Sequence, residues 1–195
     1  MSGILGKKLG MTRIFQDDGR VIPITVVQCG PNEIVQVKTV EKDGYPALVL
    51  GFSKLKKPTK TKQYQYQREF KILEADVANY KKGDQLTVEN LQGTELVKIT
   101  GISKGRGFAG VIKRWKFKSG PGGHGSHHHR EPGSIGCRAK PGRVQKGKKL
   151  PGRHGTDTVT LQKEIISMDA AKQIICIRGS LPGPNGGLIK IVKVK

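Results

Sequence analysis

Apolar positions in this chain come in short β-branched runs rather than at helical spacing. Residues 21–29, Val-Ile-Pro-Ile-Thr-Val-Val-Gln-Cys, predict a strand, and Asp17-Asp-Gly19 ahead of it suits a hairpin turn. Residues 33–40 set Ile34, Val35, Val37 and Val40 among polar neighbours, Lys42-Asp-Gly44 supplies a turn, and residues 45–52 predict a further strand. Residues 95–102, 158–166, 173–178 and 188–194 follow the same pattern. Short strands divided by turn residues predict a mainly β fold, a small barrel or sandwich whose core joins both ends of the chain. Residues 53–83 interrupt it. Their first part carries Lys54, Lys56, Lys57, Lys60, Lys62 and Arg68 with no acid. In their second part, Phe70, Ile72, Leu73, Val77 and Tyr80 are spaced for one or two helical turns within residues 69–80.

Over residues 118–155 the alternation stops. Neither a two-residue nor a 3.6-residue period survives, so nothing drives this stretch to pack on itself. Composition sharpens the contrast. The wider window 101–155 holds 14 of the 36 lysines and arginines, 14 of the 27 glycines, all five histidines and a single acid, Glu131. A net charge of +21 in 195 residues calls for a polyanion, and nucleic acid is the commonest one. The window therefore predicts an extended segment that takes its shape from a partner. No run reaches the ~20 apolar residues of a membrane span, and the first ten residues lack the apolar block of a secretory leader. Cys29, Cys137 and Cys176 are too few and too scattered for a disulfide framework, which points to a reducing, cytoplasmic setting.

Three chemical motifs call for a test. Gly105-Arg-Gly-Phe-Ala-Gly110 matches GxGxxG after a predicted strand, but a dinucleotide site also needs a helix there and an acid some 20 residues on. Residues 111–117, Val-Ile-Lys-Arg-Trp-Lys-Phe, read instead as a basic strand. His124, His127, His128, His129 and Cys137 include zinc-type ligands but no paired spacing, and cations surround them. Ser134 lies in Pro-Gly-Ser-Ile-Gly, not a nucleophile elbow, with no orienting acid nearby. The expectation is no catalytic residue, no metal, no cofactor, no small-molecule substrate and no membrane. What remains is a set of phosphate binders: Arg106, Lys113, Arg114, Lys116, Lys118, Arg130, Arg138, Lys140, Arg143, Lys146, Lys148, Lys149 and Arg153. Trp115 and Phe117 offer faces for base stacking or for packing on the barrel. Narrow crevices of a folded RNA admit such an extended strand more readily than a globular face, and zinc-finger or basic-zipper signatures of DNA binding are absent.

These residues resemble a known family. Gly3-Ile-Leu-Gly-Lys-Lys-Leu-Gly-Met-Thr-Arg-Ile-Phe15, with Lys7, Lys8 and Arg13, is similar to the opening of the bacterial-type large-subunit ribosomal protein L-three family. Gly105–Arg114 resembles the start of that family's long extension, and His124-Gly-Ser126, His129-Arg130 and Pro132-Gly-Ser-Ile-Gly136 resemble its central signature. Pro141-Gly-Arg143 and Lys146-Gly-Lys-Lys149 resemble the approach to its tip. The resemblance implies a closed six-stranded Greek-key barrel of the translation-protein type, over residues 1–52, 84–117 and 156–195. It implies a basic, partly helical insertion at 53–83 and an arm at 118–155 that penetrates ribosomal RNA toward the peptidyl-transferase centre, with its tip near 147–155. It also implies primary RNA binding that nucleates large-subunit assembly, with neighbouring large-subunit proteins as further partners. It adds Lys7, Lys8, Arg13, His124, Ser126, His129, Ser134 and His154 to the expected RNA contacts, together with the lysines of residues 53–62. Some members carry an N5-methylated Gln in the tip; Arg153 stands at that position here, so no modification is expected.

Overall fold

The computed structural model describes residues 3–59 and 62–194. Lys60, an expected RNA contact, lies outside them. In chain order the strands are β1 (Gly3–Phe15), β2 (Val21–Gln28), β3 (Asn32–Lys38), β4 (Ala47–Lys54), β5 (Tyr64–Lys71), β6 (Gln85–Leu86), β7 (Leu96–Ile102), β8 (Phe108–Ala109), β9 (Gly152–Arg153), β10 (Thr158–Asp169), β11 (Ile174–Arg178) and β12 (Leu188–Lys193). Three short helices, α1 (Val40–Asp43), α2 (Glu74–Val77) and α3 (Val111–Trp115), and a 3-10 turn (Val88–Leu91) complete the described elements. The chain divides into two compact units: one from residues up to 103 and from 158 onward, the other Lys104–Asp157. The arm expected at 118–155 lies within the second unit.

The first unit is built on a closed ring of six strands, β1-β12-β7-β10-β11-β2, each antiparallel to its neighbours. β1 is long enough to pair with β12 through Gly3–Lys7 and then with β2 through Lys7–Phe15, a bulge between Lys8 and Gly10 bending it across. Ile4, Leu5, Val27, Val97, Ile99, Ile175, Ile177, Ile189 and Ile191 are fully buried, which explains why these strands are so rich in β-branched residues. Burying each such side chain contributes about 1.5–3 kcal/mol.

The strands predicted at 33–40 and 45–52 form, but outside the ring. They become β3 and β4 of a four-stranded sheet ordered β5-β4-β3-β6. Residues 69–71, expected to be helical, continue β5, which pairs with β4 from Ala47↔Lys71 to Lys54↔Tyr64. Only one turn, α2, is helical in that stretch. Phe70 and Tyr64 are buried at the two ends of β5, so backbone pairing and burial override a weak local spacing. Asn32 joins the sheet to the ring. Its amide accepts from Leu5 N–H at 3.1 Å and donates to Leu5 O at 3.0 Å and Cys29 O at 2.6 Å, taking the place of a neighbouring strand. Burial pushes the neighbouring Cys29 thiol pKa far above its usual range, so that sulfur stays protonated.

Candidate nucleic-acid interface

The second unit starts at a neck. Phe108 pairs with Arg153 and Ala109 with Gly152; beside them Arg106 N–H donates to His154 O at 2.8 Å and His154 N–H to Gly107 O at 2.9 Å. Outgoing and returning chain are thus held together. The glycines of the GxGxxG motif serve this closure: Gly107 takes φ +64° and Gly110 caps α3. On the returning side Gly155, at φ +84°, lies so close to Lys104 O that a Cβ would overlap it. Residues 111–117, expected as a basic strand, begin instead with the helical turn α3, whose C-cap Lys116 adopts the left-handed conformation. Val111 is buried, Ile112 and Arg114 are half-buried and Lys113 and Trp115 exposed, which is not the strict alternation of a paired strand. The GxGxxG context therefore does include a helix, but a five-residue one. The first acid after it, Glu131, lies 21 positions beyond Gly110 but in an irregular segment with no strand to present it, where His128 takes its carboxylate.

α3 fixes the returning chain. Arg114 Nη1 and Trp115 Nε1 both donate to Leu150 O, at 2.8 and 2.9 Å. The Arg114 guanidinium lies 5.0 Å and Lys149 Nζ 5.9 Å from the Trp115 ring centre. Trp115 is thereby a clamp that remains partly exposed, and Arg114 is half-buried against Gly152.

Residues 118–149 contain no strand or helix, and every one is exposed except Gly120 and Ser126, which are half-buried. Their fold is local. Gly120 N–H donates to His129 O at 3.1 Å, His129 Nδ1 lies 2.9 Å from Pro121 O, and Ser126 N–H donates to Gly123 O at 3.3 Å. Glu131, the one acid, is taken by His128 Nδ1. Lys118, Arg130, Arg138, Lys140, Arg143, Lys146, Lys148 and Lys149 therefore have no ionic partner among the described residues. Eight cations face solvent on 32 residues that bury nothing.

The other expected contacts divide. Arg106, Lys113, Lys116, His124, Ser134 and Arg153 are exposed in the second unit, and His154 is half-buried in the neck. In the first unit Lys7, Lys56, Lys57, Lys62 and Arg13 are exposed, the Arg13 guanidinium 5.7 Å from the Phe15 ring centre. Lys54 is committed to Glu33 at 2.9 Å. Lys8 is the exception: it is 6% exposed, and its amine donates to Leu181 O at 3.0 Å and Gly183 O at 3.3 Å. That ammonium serves the fold, and its charge is turned away from solvent. Lys104, left out of the expected contacts, is exposed at the neck beside Arg106; charge counting alone would have included it.

Comparison with known proteins agrees with this picture of a basic, non-catalytic chain. The sequence profile of the family described as Ribosomal protein L3 matches residues 70–195. The large ribosomal subunit protein uL3 of Desulfotalea psychrophila is 48% identical over 204 residues, covering 97% of this chain and 96% of its own length. The protein of the same name from Dehalococcoides mccartyi is 44% identical, over 99% of this chain and 98% of its own. That from Geotalea daltonii is 44% identical, over 97% and 95%.

Proposed function

Because the chain belongs to the uL3 family of large ribosomal subunit proteins, non-catalytic constituents of the ribosome, we propose that it binds large-subunit ribosomal RNA directly through residues 118–155 and the neck beneath them. The observation that carries this reading is the exposed stretch 118–149, whose eight lysines and arginines have no ionic partner among the described residues. Eight ammonium and guanidinium groups brought this close repel one another in the free protein, and phosphates relieve that repulsion. Arginines can fork across two phosphate oxygens, lysines act as mobile point charges, and the many glycines let backbone N–H groups approach the RNA. On this reading the segment is an arm directed toward the peptidyl-transferase centre, with its tip near 147–155 led by Arg153. The six-stranded ring is a Greek-key barrel of the translation-protein type, and residues 53–83 are a basic insertion. Binding is early and helps nucleate large-subunit assembly in the cytoplasm, with neighbouring large-subunit proteins as further partners.

The test is the salt dependence of RNA affinity. If about half of the 14 basic residues in 101–155 touch phosphate, the log–log slope against salt is about −5 to −6. A slope near zero contradicts the mechanism. Limited proteolysis gives a second check: cleavage of the free protein within 118–155, and protection of the same bonds on the RNA. Protection already present in the free protein overturns ordering on binding.

A further inference from the structure

One groove in the first unit has the opposite character to the rest of the molecule. It has a volume of about 430 Å³ and runs between the 3-10 turn with its following loop and the far end of β10. Val88, Ile165, Ile166 and Met168 form its apolar floor, and Glu89 and Glu95 stand on its rim. No lysine or arginine lines it, on a chain that has 36. Some acids of this unit are committed to cations, Glu33 to Lys54, Glu69 to Lys38 and Glu164 to Arg178. The carboxylates of Glu89 and Glu95 have no ion-pair or side-chain hydrogen-bond partner among the described residues.

Backbone adds a second element. β10 pairs with β7 only as far as Glu164↔Leu96, with one further bond from Ile165 N–H to Glu95 O at 2.9 Å. From there to Asp169 it is paired on the β11 side alone, across a bulge between Ile165 and Ser167. The edge facing the groove has no neighbouring strand among the described residues. An unpaired edge beside an apolar floor suits an extended peptide laid alongside it, with main-chain groups supplying affinity and alternate side chains supplying selectivity.

We propose that this groove receives an extended Lys/Arg-rich segment of a partner protein, laid along the free edge of β10 with its cations against Glu89 and Glu95. Charge decides the class of partner. A nucleic acid backbone would meet two unpaired carboxylates here and no compensating cation. A basic peptide meets two unpaired carboxylates beside an apolar floor and no lining cation to repel it, and the attraction acts within a Debye length of about 8 Å.

The experiment uses the full chain and a synthetic dodecamer alternating Lys/Arg with Val/Thr, followed by fluorescence anisotropy and by amide chemical shifts. Expected are shifts concentrated at Thr94 and residues 166–168. Affinity should fall about tenfold in the Glu89→Lys/Glu95→Lys variant and not at all in a Glu41→Lys/Asp43→Lys control. Both changed sites are solvent-facing, and an unchanged thermal midpoint will confirm folding. Equal losses in both variants, no loss in the groove variant, shifts centred elsewhere, or an oligouridylate of the same length shifting the groove amides would each overturn the proposal. None of these readouts depends on the RNA-binding arm, so they fail or succeed apart from the ribosomal reading.

Discussion

Two adjacent lysines, Lys7 and Lys8, have opposite fates because β1 alternates its side chains between faces. Lys7 reaches solvent, while Lys8 buries its stem and places its ammonium on the carbonyls of Leu181 and Gly183. Those carbonyls lie in the loop before β12, so Lys8 ties the first strand of the chain to the last. Lys8→Met retains the apolar stem and removes the donor. Chemical denaturation should show a loss of about 1–3 kcal/mol, the cost of leaving buried acceptors unsatisfied, with the salt slope of RNA binding unchanged. Lys7→Met should change stability by less than about 0.5 kcal/mol. In the sequence the pair is indistinguishable, since the Gly-rich opening of β1 does not look like a strand. Gly3 and Gly6 are there for space: a Cβ on Gly3 would overlap Ile191 O and the Phe70 ring, and one on Gly6 would overlap Val27 and Cys29. Such demands come from neighbours distant in sequence.

At the scale of elements, the β5-β4-β3-β6 sheet carries two polar networks on its surface. Tyr64 and then Lys54 hydrogen-bond the Glu33 carboxylate and hold its pKa below the usual range; Lys38 and then Tyr45 do the same for Glu69. Glu69 and Tyr45 in turn push the Lys38 ammonium pKa up. A carboxyl with a lowered folded pKa binds fewer protons folded than unfolded. Its stabilisation is present above the ordinary carboxylate pKa of about 4.3 and is lost as pH falls through the lowered value. For Lys38 the sign reverses: stabilisation is complete below the ordinary value of about 10.4 and is lost as pH rises through the raised one. Thermal midpoints measured from pH 3 to 7 should fall toward acid, and Glu33→Gln/Glu69→Gln should flatten that fall. An unchanged acid slope in the double variant would contradict the assignment. Glu69 and Lys54 are exposed and Glu33 and Lys38 half-buried, so the effect is modest and shrinks with salt. The strands themselves were legible in the alternation of residues 33–52, but their membership of a separate sheet was not. Period and propensity set which residues form strands; pairing partners depend on contacts such as Asn32 to Leu5, which span 27 positions.

At the scale of the molecule, the two units differ in what holds them. The first has a continuous apolar core. In the second, residues 118–149 have local hydrogen bonds only, and the closure rests on the neck and on Leu150. Replacing residues 118–149 with a short Gly/Ser linker should therefore leave the denaturation midpoint of the first unit within about 0.5 kcal/mol of the parent. It should also remove most of the salt dependence of RNA binding. Loss of the folded core in that variant would show that the two units are energetically one. The basic, acid-poor window, the absence of catalytic spacing and the β character of the flanks were all decided by sequence alone, because charge density and hydrophobic period are properties of neighbouring residues. Tertiary structure alone decided which lysines are free to meet an anion, which strands close the ring, that residues 111–115 turn as a helix, and that one groove is lined without a lysine or arginine. Each of those depends on groups brought together from far apart in the chain, where only the folded backbone sets who faces whom.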